Sequence, residues 1–185
     1  MAWDDAKFER FVAETIRMAR GQLPGYGYPH VVFPYPPDEE LTCIGALRLL
    51  RGRLGQSGLA AELVPVSRYT ALAVERYAQR ELRDAEEYQR LQSDLSDPRT
   101  GLAARAAQLC AGDLNMKIAA DTVLIVFRLG PLYPFGHVST FLDALYRAGI
   151  RNTMGVAYPG TADGTALRFL GLLDPTGGYR GHVVT

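Results

Sequence analysis

At 185 residues, 48% hydrophobic and 22% charged, the chain has enough material for one well-buried core, and a single domain over 1–185 is the expectation. Twenty Lys+Arg balance twenty Asp+Glu, so no net basic field is available to recruit nucleic acid, and no direct nucleic-acid contact is expected. Cys43 and Cys110 have neither metal-ligand spacing nor the density of a disulfide framework, and charges from Asp4 to Arg10 stand where a signal peptide needs an apolar core. A cytoplasmic protein with no membrane association is expected.

In chain order, residues 3–20 place Phe8, Phe11, Val12, Ile16 and Ala19 on one helical face, the pattern of a docking helix. "PHVVFPYPP" supplies a short strand at about 30–34 that Pro36 ends. "DEELTCIGALRLLRGRLG" comes next, with acids in the first helical turn and Leu41, Ile44, Leu47, Leu50 and Leu54 as the apolar set. A second strand at about 61–66 completes the start of a βαβ unit. Residues 69–92 read as a charge-laced, solvent-facing helix with Arg80 and Asp84, Arg83 and Glu87, and Glu86 and Arg90 each four apart. A helix at about 102–112, the buried strand "DTVLIVF" and a helix at about 137–148 with Val138, Phe141, Leu142 and Leu145 inward continue the series. "NTMGVAYPG", "ALRFLGLL" and "GYRGHVVT" supply three more strands. The alternation predicts an α/β three-layer sandwich with a largely parallel central sheet, and the close spacing of the last two strands suggests an antiparallel C-terminal edge.

Ligands in such folds sit at the carboxyl ends of strands, here Tyr35–Glu40, Arg128–His137 and Tyr158–Gly164. The turn after the first strand, "PYPPDEEL", has no glycine, no lysine and two prolines without N–H groups, so it cannot form a P-loop cradle. "GYGYPH" lacks the third glycine of a dinucleotide fingerprint and precedes its strand, and "GQSGL" misses a nucleophile elbow by one residue. Asp38, Glu39 and Glu40 with Asp163 suit a hard cation, but acids in a first helical turn equally complement the helix dipole. His30, His137 and His182 are too scattered for a zinc argument, and His137, Ser139 and Asp143 lie too close along one helix to form a triad. No catalytic residue, metal or cofactor is assigned.

Tyr-Pro occurs at 28–29, 35–36, 133–134 and 158–159, where random placement would give about 0.6 occurrences. Proline fixes a turn and removes a donor, while tyrosine offers a large amphipathic ring with few rotatable bonds. Two readings stay open: a contact surface, or strand stoppers with half-buried rings.

Three segments together, an apolar strand followed by "GPLYPFGHVSTFLDAL", a strand ending in "YPGTADGTALRFLG", and a closing "GYRGHVV", resemble the BrxB family of the BREX bacteriophage-defence systems. "PHVVFPYPPDEEL" agrees with the family's first strand and helix start, so the resemblance spans essentially the whole chain. Tyr133, Pro134 and Phe135 match its Tyr-Pro-Phe. Tyr158, Pro159, Gly160, Asp163 and Gly164 match its Tyr-Pro-Gly and Asp-Gly, Leu167 and Arg168 its Leu-Arg, and Tyr179 and Arg180 its terminal Tyr-Arg. After Phe135 the family usually has an Arg and then a His in the helix start, whereas this chain has Gly136, His137, Val138 and Ser139.

The resemblance implies a non-catalytic interaction component of a phage-defence complex that docks a larger protein, first of all an alkaline-phosphatase-like PglZ protein, with the system's large ATPase and methyltransferase as further candidates. The expected partner-binding residues are Tyr133, Pro134, Phe135, His137, Tyr158, Pro159, Tyr179 and Arg180. Gly160, Asp163, Gly164 and Arg168 are expected to be structural, with an Asp163–Arg168 pair closing the turn between the strands. The alternative is a metal- or nucleotide-dependent enzyme using Asp38, Asp163, Arg168 and Arg180 on the same rim.

Overall fold

The computed structural model describes residues 3–23, 28–78, 85–164, 166–172 and 181–185. Its elements fall into two compact units, one made of Met1–Val64, Ala119–Arg128 and Arg151–Thr185, the other of Pro65–Ile118 and Leu129–Ile150.

The first unit is built on a sheet. Helix α1 (Asp5–Ala19) begins where Asp4 accepts a hydrogen bond from the Lys7 N–H, an N-cap that satisfies one orphan donor of the first turn. It buries Phe8, Phe11, Val12, Thr15 and Met18, so Thr15 and Met18 take the deep positions expected of Ile16 and Ala19, which are half-buried. Strand β1 (His30–Tyr35) is buried at every position. Helix α2 (Glu40–Gln56), preceded by a 3-10 turn at Pro37–Glu39, buries Cys43, Leu47, Leu50 and Leu54.

Leu41 does not join that face and is 82% exposed. A spacing of three falls about 60° short of a full helical turn at every step, so the 41–44–47 series drifts off the face that 43, 47, 50 and 54 define.

Strands β2 (Ala61–Pro65), β3 (Val123–Phe127), β4 (Met154–Asp163), β5 (Ala166–Phe169) and β6 (His182–Val183) complete the sheet, ordered β2-β3-β4-β1-β6, with β1 parallel to β4 and β6 and β3 parallel to β4. Helices α1 and α2 cover one face. Phe8, Phe11 and Leu47 pack with Phe33, Ile125 and Ala157 in one core, and Phe11 stacks on Phe33 at 5.3 Å. Gly155 leaves room for this, because a Cβ there would stand 3.0 Å from the Phe11 ring. The result is a mostly parallel sheet flanked by helices, an α/β fold. Among the described residues the last two strands do not pair with each other: β6 joins β1 in parallel, and β5 folds back antiparallel on the end of β4.

The second unit is helical. Helix α3 (Val66–Ala78) begins directly after β2, α4 spans Ala85–Ser96, and residues 79–84, which include Arg80, Arg83 and Asp84, lie outside the described residues. The Glu86–Arg90 pair forms at 4.0 Å on α4. Helix α5 (Leu102–Lys117) runs through Gly112, past the expected end, and buries Ala103, Ala104, Ala106, Ala107 and Ala111, whose small side chains let α3 and α6 (Val138–Arg147) pack closely against it. Helix α6 buries Val138, Phe141, Leu142 and Leu145, as its spacing implies. No described helix is long and apolar enough to cross a membrane.

Candidate functional site

In the second unit the chain turns through 129–137 before α6. Leu129 and Leu132 are fully buried and pin a 3-10 turn at Gly130–Leu132. Main-chain bonds from Leu132 N to Leu129 O, Tyr133 N to Gly130 O and Gly136 N to Leu132 O fix its path at 3.0, 3.0 and 2.7 Å. The Tyr133–Pro134 peptide is cis. Gly136 has no space for a side chain, since a Cβ would stand 2.8 Å from the Ala103 methyl group on α5.

On this anchored backbone the ring of Tyr133 is 38% exposed, Pro134 and His137 are exposed, and Phe135 is half-buried. Pre-organised aromatic surface on a turn held from below loses little conformational entropy when covered. His137 precedes α6 without capping it through its side chain. Among the described residues no hydrogen bond joins His137, Ser139 and Asp143.

The other Tyr-Pro steps sit differently. Tyr35 and Tyr158 lie on neighbouring parallel strands, with Tyr35 opposite Pro159 and Pro34 opposite Tyr158. Tyr35 is buried and donates its hydroxyl hydrogen bond to the Glu40 carboxylate, and burial first and that bond second raise its pKa. Tyr158 is only 3% exposed, packs its ring against Phe169 at 5.5 Å, and has its pKa raised by burial. Pro159 is buried as well. Tyr28 is half-buried and stacks on His30 at 5.4 Å. Of the four tyrosines, Tyr133 alone is an exposed ring, while Tyr35 and Tyr158 are internal strand-end packing.

Pro159 and Gly160 mark the point where β4 leaves its parallel partner. Up to Pro159 the strand pairs with β1, and from Gly160 to Asp163 it pairs antiparallel with β5, Gly160 facing Phe169. A Cβ on Gly160 would overlap the Arg168 carbonyl oxygen, so only glycine permits the approach. Gly164, at φ +57°, provides the left-handed residue of the turn.

The expected Asp163–Arg168 pair does not form. Asp163 stands opposite Ala166 and Arg168 opposite Thr161, both are exposed, and among the described residues no ion pair joins them. The two stand diagonally across the hairpin, within reach of a long side chain, but both face water, where an ion pair gains too little to hold two mobile side chains in one geometry.

Asp38 is exposed in the 3-10 turn before α2. Among the described residues no group of three or more His, Cys, Asp or Glu side chains converges. Tyr179 and Arg180 lie outside the described residues. Both cysteines are free and buried, and burial pushes the Cys43 thiol up and the Cys110 thiol up to about 12.

One residue that sequence reasoning misses is Asn152. It is buried just before β4 and its amide nitrogen reaches the carbonyls of Ala119, Ala120 and Thr122 at 3.0, 3.1 and 2.9 Å, tying down the segment that enters β3. A single Asn at a strand entry carries no periodicity that could reveal this.

Compared with known proteins, residues 69–184 match the family model described as BREX protein BrxB, and the match includes the 129–137 turn. No curated protein and no solved structure gives a significant match.

Proposed function

Since the chain belongs to the BrxB family, a component of BREX phage defence, we propose that it works as a non-catalytic adaptor that docks a larger protein of the same system through the 133–137 turn. The observation that carries this reading is the exposed Tyr133–Pro134 step with Phe135 and His137 beside it, set on a backbone pinned by Leu129 and Leu132. Interfaces concentrate their energy in a few aromatic anchors held in advance of binding, and this turn has that construction. The partner we propose is the PglZ-like protein, with the large ATPase and the methyltransferase as further candidates. Tyr158 and Pro159 are buried within the first unit, where they hold the β4–β5 hairpin.

The test is affinity capture of the tagged chain from cells carrying the neighbouring genes of the system. Recovery of the PglZ-like protein in stoichiometric amount is expected. Capture of no protein of the system would overturn the adaptor reading.

A further inference from the structure

Several basic side chains of the second unit have an acidic neighbour. Arg68 and Lys117 flank Asp113, which also accepts a 2.9 Å hydrogen bond from the Tyr69 hydroxyl, and Arg90 pairs with Glu86. Three arginines without such a pair stand together. Arg76 on α3, Arg99 in the loop before α5 and Arg105 on α5 line one cleft of about 290 Å³ together with Thr100, Gln108 and Leu109. Among the described residues none of the three forms an ion pair.

The loop that brings Arg99 to the cleft is firmly built. Asp97 accepts hydrogen bonds from the backbone N–H groups of Arg99 and Thr100 at 2.8 and 2.7 Å and from the Thr100 hydroxyl at 2.9 Å, and these bonds hold its carboxyl below the usual range. Gly101 is obligatory, because a Cβ there would overlap the carbonyl oxygens of Leu95 and Asp97. Arg105 is fixed in turn: its Nε donates to the Thr100 carbonyl at 2.8 Å and its guanidinium lies 4.6 Å from the centre of the Tyr77 ring. Its two terminal nitrogens have no protein acceptor among the described residues.

Three guanidiniums lining one small volume repel one another, and Asp97, beside Arg99, forms no ion pair with any of them among the described residues. In a chain with no net charge, that local excess calls for an anion from outside. Guanidinium forks match the oxygens of a phosphoryl group two at a time, and a fork already held by its Nε and a ring loses less freedom on binding.

We propose that this cleft binds a small phosphorylated ligand, whose phosphoryl or pyrophosphoryl group is held by Arg76, Arg99 and Arg105 with the Gln108 amide as a further donor. It needs no glycine-rich N–H cradle, which the sequence lacks, and it is independent of the docking turn.

The full-length chain is titrated by calorimetry with inorganic pyrophosphate and, separately, with a short single-stranded oligonucleotide. One saturable pyrophosphate site is expected, weakened about tenfold or more by Arg76→Gln and again by Arg99→Gln, since each removes a charge-assisted contact. Both residues are exposed, so these variants keep the fold, whereas Arg105→Gln would also release Thr100. Arg48→Gln, exposed on α2, should bind as the parent does. Absence of saturation at millimolar pyrophosphate, unchanged affinity in the Arg76→Gln/Arg99→Gln double variant, or saturation by the oligonucleotide alone would each overturn the proposal.

Discussion

Acidification should destabilise this protein through His30. The imidazole opens β1, is 3% exposed, and its Nε2 has no hydrogen-bond partner among the described residues. Burial therefore lowers its pKa from 6.5 to about 4, because charging the ring in place would strand an imidazolium in the core. In the unfolded chain the same ring takes up its proton near pH 6.5. Between the two values the unfolded state binds more protons than the folded one, so stability falls as pH falls through that window and is unaffected by this group above it. At about 1.4 kcal/mol per pH unit, the interval amounts to roughly 3 kcal/mol by pH 4. Urea unfolding at about pH 7.5, 6 and 4.5 measures it directly, with His30→Phe, close in volume and unable to titrate, as the comparison. The gap between parent and variant should shift in the variant's favour as pH drops, while titratable groups common to both cancel. Parallel pH dependence in the two proteins would refute the reasoning.

Other expectations rest on single contacts. Gly160→Ala should cost about 3 kcal/mol or more, because the colliding atom is the Arg168 backbone carbonyl and cannot swing aside; a denaturation midpoint within error of the parent would mean that the hairpin can shift register. Asn152→Ala should cost about 2–3 kcal/mol by leaving the Ala119, Ala120 and Thr122 carbonyls without that donor, again read by urea unfolding, and a neutral effect would show that water replaces it. Cys43 and Cys110 should be silent to a thiol reagent in the folded protein and both titrate after unfolding; rapid labelling of either one in native buffer would contradict their burial.

The elements legible in the sequence are those whose signal is local. Val138, Phe141, Leu142 and Leu145 repeat at helical spacing and all four are buried, and the unbroken apolar run Val123–Phe127 is a fully buried strand. Leu41 is misassigned from sequence because a leucine-rich helix offers more than one apolar series, and only the packing partner selects between them. The partner of the antiparallel C-terminal strand is not legible for a related reason. Strand spacing shows that a turn is short, but not which strand the returning segment joins, and here β4 runs on past Pro159 to receive β5. The Tyr-Pro steps are alike in sequence, yet their fates differ with the residues that fold over them: the Glu40 side chain meets Tyr35, Phe169 covers Tyr158, and among the described residues nothing comparable closes over Tyr133. The arginine cleft has no linear signature, since Arg76, Arg99 and Arg105 meet only once three separate segments have folded.

The most direct measurement is co-purification by the Tyr133→Ala/Phe135→Ala double variant, in cells carrying the rest of the defence system. Tyr133 is exposed and Phe135 half-buried, so the variant should remain folded, with at most a modest drop in melting temperature. Loss of aromatic anchors commonly costs more than about 2 kcal/mol of binding, over thirtyfold in affinity. The double variant is therefore expected to stay soluble, to lose the PglZ-like protein, and to lose resistance to phage. A folded double variant that still brings down the PglZ-like protein in full amount would contradict docking through the 133–137 turn.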